Sequence, residues 1–301
     1  MLAALVQDVR YGVRTLVRTP GYTIVAVLTL ALGIGANAAI FSFVDGVLLK
    51  PLPYPNPERI LLVWEKPPGG GNNVVSALNY LDWQAQADVF ERMAAITGGS
   101  MTLTGRGEPQ QLRVARAGAE YFNVFGVKAA IGRTFAADED QPGKEHVVVL
   151  SHRVWAEEFG GDAGIVGQSV MLNGEAYTVI GVLPEGSPFD RMFSRMWRPL
   201  AFAPGERTRN FHWLQIQARL KPWVTLEQAR ARMDAIGARI AADYPDSNKG
   251  WGVSLVPYAD SIVGPQLRSS LYVLLSAVGM LMLIGCANLA SLTLARGTAR
   301  E

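Results

Sequence analysis

The sequence predicts an α+β extracytoplasmic domain between two transmembrane α-helices. Two long stretches without any charged side chain, 19–44 and 269–295, lie near the two ends of the 301-residue chain. Between them, segments with the patterns of a strand, a helix and a strand occur twice in the same order. All 7 tryptophans also lie in this middle region, which favours a packed domain over a flexible linker.

This pattern divides the chain into five segments. The middle segment has about 220 residues, enough to bury a core of its own. It must do so without disulfides, because the single cysteine, Cys286, lies in the second apolar stretch. The segments are 1–19 (amphipathic interfacial helix), 20–49 (transmembrane helix 1), 50–268 (extracytoplasmic domain, with an inserted lobe at about 112–205), 269–295 (transmembrane helix 2) and 296–301 (a cytoplasmic segment).

The first segment has the spacing of an amphipathic helix. Its apolar residues fall within an arc of about 120° when successive residues are placed 100° apart, whereas Arg14 and Arg18 lie on the other face. A surface helix of a soluble protein has the same pattern, but a membrane span follows directly, which favours a helix in the membrane interface. The apolar residues are Leu2, Leu5, Val6, Val9, Val13, Leu16 and Val17.

The first span is long enough to cross a bilayer. As a helix, 19–44 would measure roughly 39 Å against a hydrocarbon core of about 30 Å, with Thr19 as N-cap and Pro20 at the first helical position. Ala36-Asn37-Ala38 resembles a signal-peptidase site, but the apolar run continues beyond it, which favours an uncleaved span. Arginines before span one and after span two predict that both termini are cytoplasmic.

The middle domain is predicted to have two similar halves. In the first, Arg59–Glu65 has the pattern of a strand, Asn79–Arg92 that of a helix, and Met93–Leu103 that of a strand interrupted at Gly98-Gly99. The second half repeats this order with a strand at His212–Leu220, a helix at Leu226–Tyr244 capped by Thr225, and a strand at Trp251–Tyr258.

A strand-rich lobe at about 112–205 is predicted to be inserted between these halves. Within it, 167–183 alternates apolar and polar residues on both sides of Asn173-Gly174. This dipeptide suits a tight two-residue turn, because both of its positions can adopt positive φ. The sequence therefore predicts a β-hairpin there.

No catalytic, cofactor-binding or metal-binding set is predicted, and the protein is not expected to be an enzyme. The sequence has no phosphate-binding loop and no G-x-S-x-G or H-E-x-x-H motif. His146, His152 and His212 have no partner at a metal-ligand spacing. The pattern at Asp138-Glu139-Asp140 favours a solvated turn over a calcium loop. A net charge of +2 gives no reason to expect a nucleic-acid partner.

The spans contain candidate helix-packing residues. Ala31, Gly35 and Ala39 recur every four residues, a stripe of small side chains that allows another helix to approach, either span two or a partner's span. Asn37 and Asn288 are amides within the spans, where an unpaired amide is costly. They are interpreted either as stabilising one helix pair or as marking a contact that shifts during function.

Four stretches of the sequence together resemble MacB/FtsX-type ABC-transporter permeases, most closely the large acidobacterial-type permeases. They are DVRYGVRTLVRTPGYTIVAVLTLALGIGANAAIFSFVDGVLLKPLPY, YFNVFGVKAAIGRTF, VVVLSHRVWAEEFGGDAGIVGQSVMLNGEAYTVIGVLPEG and LIGCANLASLTLARGTARE. The resemblance is collinear over essentially the whole chain. It implies one span, a large extracytoplasmic MacB-like periplasmic core domain, and further spans beyond the second.

The resemblance also implies the function and the partners. Such permeases are powered by a separate cytoplasmic ABC ATPase, which the segment after span two contacts; in this chain that segment starts with Arg296, Arg300 and Glu301. We therefore expect the N-terminal part of an inner-membrane efflux or mechanotransmission permease, without a cofactor, in contact with membrane lipids and with a second permease half or a second copy. The alternative is a membrane-tethered extracytoplasmic binding or sensor module that has no ATPase partner.

Overall fold

The structure is a computed structural model that describes residues 20–46, 52–105, 107–191, 194–262 and 264–298, together with positions 7, 10, 14, 17 and 18. The predicted interfacial helix and the cap Thr19 therefore lie mostly outside the described residues. The chain forms two compact units. One contains the N-terminal part and the residues from 263 onwards, and the other, from Leu52 to Ile262, is called the outer domain below.

In chain order, the described helices and strands are α1 (Pro20–Val44), β1 (Ile60–Lys66), β2 (Val75–Ser76), α2 (Ala77–Gln86), β3 (Phe90–Thr97), β4 (Ser100–Thr104), β5 (Gln110–Ala117), α3 (Tyr121–Phe125), β6 (Ile131–Gly132), β7 (Val147–Leu150), α4 (His152–Phe159), β8 (Ser169–Leu172), β9 (Glu175–Val182), β10 (Met196–Pro199), β11 (His212–Leu220), α5 (Leu226–Asp243), α6 (Pro245–Asn248), β12 (Gly252–Pro257), α7 (Tyr258–Ile262) and α8 (Pro265–Thr298).

Four strands of the outer domain form an antiparallel sheet in the order β3-β11-β1-β12. The helix α2 connects β1 to β3, and α5 connects β11 to β12. This is the split β-α-β arrangement of ferredoxin-like folds. It confirms the prediction of two similar strand-helix-strand halves, whose strands interleave in one sheet.

The other long strands close into a six-stranded barrel. Pairing runs β5-β4-β8-β9-β7-β10, and β10 pairs in parallel with β5 to close the ring. Alternate side chains of these strands fill the interior, as expected for a small barrel. The strands β5 and β3 pair at Ile96↔Ala117, so the barrel and the split β-α-β sheet share one continuous sheet. The interior residues include Met101, Leu103, Leu112, Val114, Val148, Leu150, Val170, Leu172, Tyr177, Val179 and Met196.

Each face of the split β-α-β sheet has its own core. The helices α2 and α5 cover one face, where Trp83, Met233 and Ile236 are buried against the strands. The opposite face packs against a second cluster that includes Phe122, Phe125 and Trp197. The sheet therefore separates the core under the helices from a second core, richer in aromatic residues, that is shared with the barrel.

Most of the local predictions match the observed elements. The Asn173-Gly174 turn joins β8 to β9 with φ values of 51° and 83°, as a type I′ hairpin requires. Thr225 caps α5 through a hydrogen bond from the backbone N–H of Gln228 to its hydroxyl. The predicted helix Asn79–Arg92 ends earlier, at Gln86, because Phe90 and Arg92 pair with β11 as part of β3.

The strand-rich lobe includes residues before position 112. The strand β4 belongs to the barrel because it pairs with both β5 and β8, and the bond from Val114 N to Gly99 O continues this pairing. In addition, α3 lies within the predicted lobe, but its Phe122 and Phe125 belong to the core on the face of the split β-α-β sheet opposite α2 and α5. These differences arise from strand pairing between residues far apart in the chain, which the local periodicity of the sequence does not predict.

The helices α1 and α8 are long and apolar enough to cross a membrane, over Thr23–Val44 and Gln266–Asn288. They pack against each other within their unit. In α1 the half-buried positions Thr23, Ala26, Gly33, Asn37 and Ile40 recur at helical spacing along one face.

Candidate functional site

Both ends of the outer domain lie at one end of the split β-α-β sheet, called the base below. The chain enters through 52–59 and leaves through α7. The strand β1 begins and β12 ends at the base, where Leu61 pairs with Pro257. The incoming and outgoing segments are therefore neighbours.

An aromatic cluster holds the two segments together. The ring of Tyr54, from the incoming segment, lies 4.9 Å from Phe125 and 6.1 Å from Tyr258, the first residue of α7. Phe125 also lies 5.2 Å from Tyr258 and 5.4 Å from Phe189, between centroids. These distances suit edge-to-face and tilted aromatic pairs, which contribute about 0.5–1.5 kcal/mol beyond area burial. The base aromatic cluster is Tyr54, Tyr121, Phe122, Phe125, Phe189, Trp197 and Tyr258.

The phenols of this cluster remain neutral at physiological pH. Burial raises the pKa of Tyr54, of Tyr121 and of Tyr258 above the ordinary value for tyrosine. The incoming and outgoing segments are thus joined by contacts that do not depend on ionisation.

Arg219 ties the incoming segment to the rest of the base. Its side chain is 5% exposed. Its Nε donates to the carbonyl of Val124 at 2.7 Å, and its Nη1 donates to that of Pro55 at 2.9 Å. Burial, and then the charge of Arg59, lower the pKa of the Arg219 guanidinium. A cation placed at the carbonyls that end α3 also interacts favourably with the dipole of that helix.

Arg59 makes a second, more exposed link at the base. Its Nε donates to the carbonyl of Leu220 at 2.9 Å, and its Nη2 lies 2.5 Å from a carboxylate oxygen of Glu91. Arg59 directly precedes β1, Leu220 ends β11 and Glu91 lies at the start of β3. Arg59 thus ties the ends of three strands together next to the incoming segment.

The opposite end of the sheet, called the distal end, carries a polar network instead. Glu65, at 1% exposure, accepts hydrogen bonds at Oε1 from the backbone N–H of Ser76 at 3.1 Å, from the Ser76 hydroxyl at 3.1 Å and from Asn79 at 2.8 Å. Its Oε2 lies 2.8 Å from Nε2 of His212, and the His212 ring stacks on Trp251 at 4.7 Å. Burial raises the pKa of the Glu65 carboxyl, and the hydrogen bonds and His212 oppose this shift.

Arg209 extends the distal network. It donates to Oδ1 of Asn79 at 2.5 Å and to a carboxylate oxygen of Asp82 at 2.6 Å. Its guanidinium lies 3.7 Å from the centroid of the Tyr244 ring, within the range of a cation–π interaction. The network thus connects the turn before β11 to α2 and to the end of α5.

The predicted stripe Ala31, Gly35 and Ala39 lies on an exposed side of α1. A Cβ added to Gly35 would have no atom within 4 Å, whereas one added to Gly285 of α8 would lie 3.3 Å from Cγ2 of Thr29. Gly35 lies about 200° around the helix from Gly33, which is half-buried. Within this unit the stripe therefore does not face α8. Contact of the stripe with a partner's span remains a prediction.

The two span amides are placed differently. Asn37 donates to the carbonyl of Gly33 at 2.8 Å and to that of Val278, in α8, at 3.3 Å. It therefore joins the helix pair, whereas Asn288 is exposed on α8. Of the predicted coupling residues, Arg300 and Glu301 lie outside the described residues, and only the backbone of Arg296 is described, within α8.

Within the described part of the chain, no group of three or more His, Cys, Asp and Glu side chains could hold a metal ion. The acidic run 138–140 is engaged structurally. Asp138 pairs with Lys144 at 2.5 Å, Glu139 with Arg133 at 2.6 Å, and Asp140 accepts from the backbone N–H of Ala119 at 3.0 Å. The bond from Lys144 lowers the pKa of the Asp138 carboxyl. Burial acts to raise the pKa of Glu139, but hydrogen bonds from Arg133 and the backbone outweigh it and leave that pKa lowered.

The sequence pattern does not single out several residues of the base and of the distal network. Tyr54 lies in a proline-rich segment, and Arg219 ends an alternating strand, so neither looks unusual by itself. His212 has the sequence context of an isolated histidine, but it faces Glu65. The one available signal is Glu65 itself, an acid in the apolar run ILLVWE that begins at Ile60.

Comparisons with known proteins match this architecture. The MacB-like periplasmic core domain family matches residues 23–236. A probable syringafactin export ATP-binding/permease protein, SyfD, of Pseudomonas syringae pv. tomato is 26% identical over 167 residues, covering 54% of this chain and 24% of that protein. This chain therefore spans about a quarter of the length of that relative.

Two solved structures share the fold. A domain of a permease protein from Porphyromonas gingivalis aligns with a TM-score of 0.53 at 19% identity, over 69% of this chain and 93% of that one. The periplasmic region of MacB from Actinobacillus actinomycetemcomitans aligns with a TM-score of 0.51 at 15% identity, over 74% of this chain and 95% of that one. At these identities the likeness shows the fold alone.

Proposed function

Because the chain belongs to the family of the MacB-like periplasmic core domain, we propose that it transmits motion in an ABC-type permease. ATP hydrolysis by a separate cytoplasmic ATPase would move the spans, and the base would pass that movement to the outer domain. The observation that supports this proposal best is the joining of the incoming and outgoing segments by Tyr54, Phe125, Tyr258 and Arg219.

A mechanical role needs a stiff connection at the point where force arrives. A loose connection absorbs a displacement locally, whereas a packed interior transmits it. Around Phe125, rings from the incoming segment, from α7 and from Phe189 of the barrel side are all within 5.5 Å, between centroids. A displacement of either connection would therefore move the sheet and the barrel together.

The orientation and the partners belong to the same proposal. Both termini would be cytoplasmic, since arginines flank the outer side of each span in sequence. Arg296, Arg300 and Glu301 would then begin the segment that contacts the ATPase. The SyfD relative is described as both ATP-binding and permease, which agrees with a permease that works with ATP hydrolysis.

The experiment is to purify the full chain from its native membranes and to measure ATP hydrolysis in the purified complex. We expect an ABC-type ATPase to co-purify and to be active. Replacing Tyr54 and Tyr258 by alanine should leave ATP hydrolysis intact and abolish export, because the spans would move without the outer domain. Phe211→Ala, at an exposed aromatic residue outside the base, is the control and should retain both activities.

Two results would contradict the proposal. A complex without any ATPase, from membranes in which the chain is active, would favour the tethered binding or sensor module. Full export by the Tyr54/Tyr258 double variant would show that the base does not transmit motion, even if the ATPase is present.

The stripe on α1 leads to a test of the second copy or permease half. Gly35→Leu should weaken association of the permease with its partner by about 1–3 kcal/mol if a partner's span packs there, because overpacking a close helix contact costs this much. Val27→Leu, on an exposed part of the same helix, is the matched control. Cross-linking yield in membranes measures the association, and equal yields for both variants would assign the stripe to lipid.

A further inference from the structure

Trp223 is the most exposed large aromatic side chain among the described residues, at 75%. It follows β11 in the tight turn 221–224, in which the backbone N–H of Val224 donates to the carbonyl of Lys221 at 3.1 Å. Pro222 occupies the second position of this turn, where its fixed φ is favourable. The turn therefore presents the indole outward rather than leaving it on a loose loop.

Both sides of the turn are anchored. The backbone N–H of Lys221 donates to the carbonyl of Val89 at 3.1 Å, and Thr225 directly after the turn caps α5 with a capping box completed by Gln228. Trp223 is absent from the described hydrophobic cores. Folding of the outer domain thus does not explain a tryptophan at this position.

The turn lies at the base. It follows Leu220, whose neighbour Arg219 pairs with Ile60 at the start of β1, a few residues after the incoming segment. The outgoing helix α7 ends at Ile262, which is 50% exposed, and α8 begins at Pro265. Trp223 therefore shares an end of the outer domain with both connections to the candidate membrane spans.

We propose that Trp223 inserts into the headgroup region of the bilayer and anchors the base to the membrane surface. Tryptophan is enriched at membrane interfaces because the ring is apolar while its N–H still finds a polar partner. Lys221, in the same turn, would extend its charged end towards lipid phosphates while its stem stays along the protein. The partner is lipid rather than protein, since the chain itself continues from this end into membrane-spanning helices.

The chain offers a matched control at the other end of the same strand. Phe211 directly precedes β11, is 62% exposed and stacks on Trp213. The 9 residues of β11 separate it from the turn, a distance of roughly 33 Å along an extended strand. An aromatic residue at the distal end should remain in water if the base faces the membrane.

The test uses the full chain in lipid vesicles, with Cys286 replaced by serine and one cysteine introduced at position 223 or at position 211. Each cysteine carries an environment-sensitive fluorophore, and lipids with a nitroxide near the headgroup act as quenchers. We expect a blue-shifted emission and at least threefold stronger lipid quenching at 223 than at 211. Quenching by soluble iodide should instead be stronger at 211 than at 223.

A second measurement keeps Trp223 in place. A fluorophore at Glu227, an exposed residue in the first turn of α5, reports the nearby surface with and without Trp223→Ser, and the serine variant should lose at least half of the lipid quenching. Equal lipid quenching at 223 and 211 overturns the proposal. Shielding of 223 from iodide without lipid quenching also overturns it, because it indicates a protein partner. None of these outcomes depends on an ATPase, so the proposed transport function is tested separately.

Discussion

The two ends of the split β-α-β sheet are stabilised in different ways. At the base, packed rings and an arginine bound to backbone carbonyls hold the incoming and outgoing segments. At the distal end, Glu65, His212, Asn79 and Arg209 form a hydrogen-bonded polar network. The strands β1 and β11 run through both ends, so the contrast arises from residues only a few positions apart.

One sheet can therefore combine a junction insensitive to pH with an end that responds to protonation. The phenols of the base have raised pKa values and stay neutral over the physiological range. In the distal network, burial raises the pKa of the Glu65 carboxyl. The stability of the distal end would therefore depend on the protonation of Glu65, whereas the packing of the base would not depend on ionisation of its tyrosines.

The largest expected effect tests the base. Phe125→Ala removes a ring that is 0% exposed and contacts Tyr54, Tyr258 and Phe189. Such a change in a packed core typically costs about 3–5 kcal/mol of unfolding free energy. Chemical denaturation of the full chain in detergent measures it. Phe211→Ala at the distal end should change the value by less than about 0.5 kcal/mol, as is usual for exposed positions; equal losses would remove the contrast between the ends.

The incoming segment itself is the next test. A fragment 52–262 should fold as a soluble domain, and a shorter fragment 57–262 should be less stable by about 2–4 kcal/mol. The shorter fragment lacks the buried Tyr54 and the Pro55 carbonyl bound by Arg219, and each loss costs about 1–2 kcal/mol. Thermal unfolding followed by near-ultraviolet dichroism compares the two. Identical transitions would show that the incoming segment does not stabilise the base.

The distal end is tested by pH. Because the folded-state pKa of Glu65 is raised, its contribution to stability is present below its unfolded pKa, near 4.5, and is lost as pH rises through the folded value. Glu65→Gln should therefore gain stability relative to the native chain as pH rises from 4.5. Denaturation midpoints at several pH values measure the difference between the two proteins.

A carboxyl with the opposite shift serves as the control. Hydrogen bonds from Arg116 lower the pKa of Glu206, so its contribution is present above its unfolded pKa and is lost as pH falls. Glu206→Gln should therefore lose stability relative to the native chain as pH rises from acid to neutral. If the stability of both variants relative to the native chain changes in the same direction as pH rises, the prediction drawn from the raised pKa of Glu65 is wrong.

Local sequence patterns specify several individual elements of this protein. Charge-free stretches indicate the two candidate spans, and alternation indicates the strand His212–Leu220. Capping chemistry places the start of α5, and positive-φ residues place the hairpin turn at Asn173-Gly174. These features depend on neighbours within a few positions in the chain, so they can be recognised from the sequence pattern.

Which distant residues meet is set by the three-dimensional fold alone. The fold brings Tyr54 to Tyr258 and Glu65 to His212, and it recruits Ser100–Thr104 into the barrel. It also turns Gly35 away from α8, because both faces of α1 contain small side chains and the partner helix selects one of them. Contacts between residues far apart in the chain depend on strand order and helix rotation, which a single sequence pattern does not encode locally. The base of the outer domain, where the proposed function lies, consists almost wholly of such contacts.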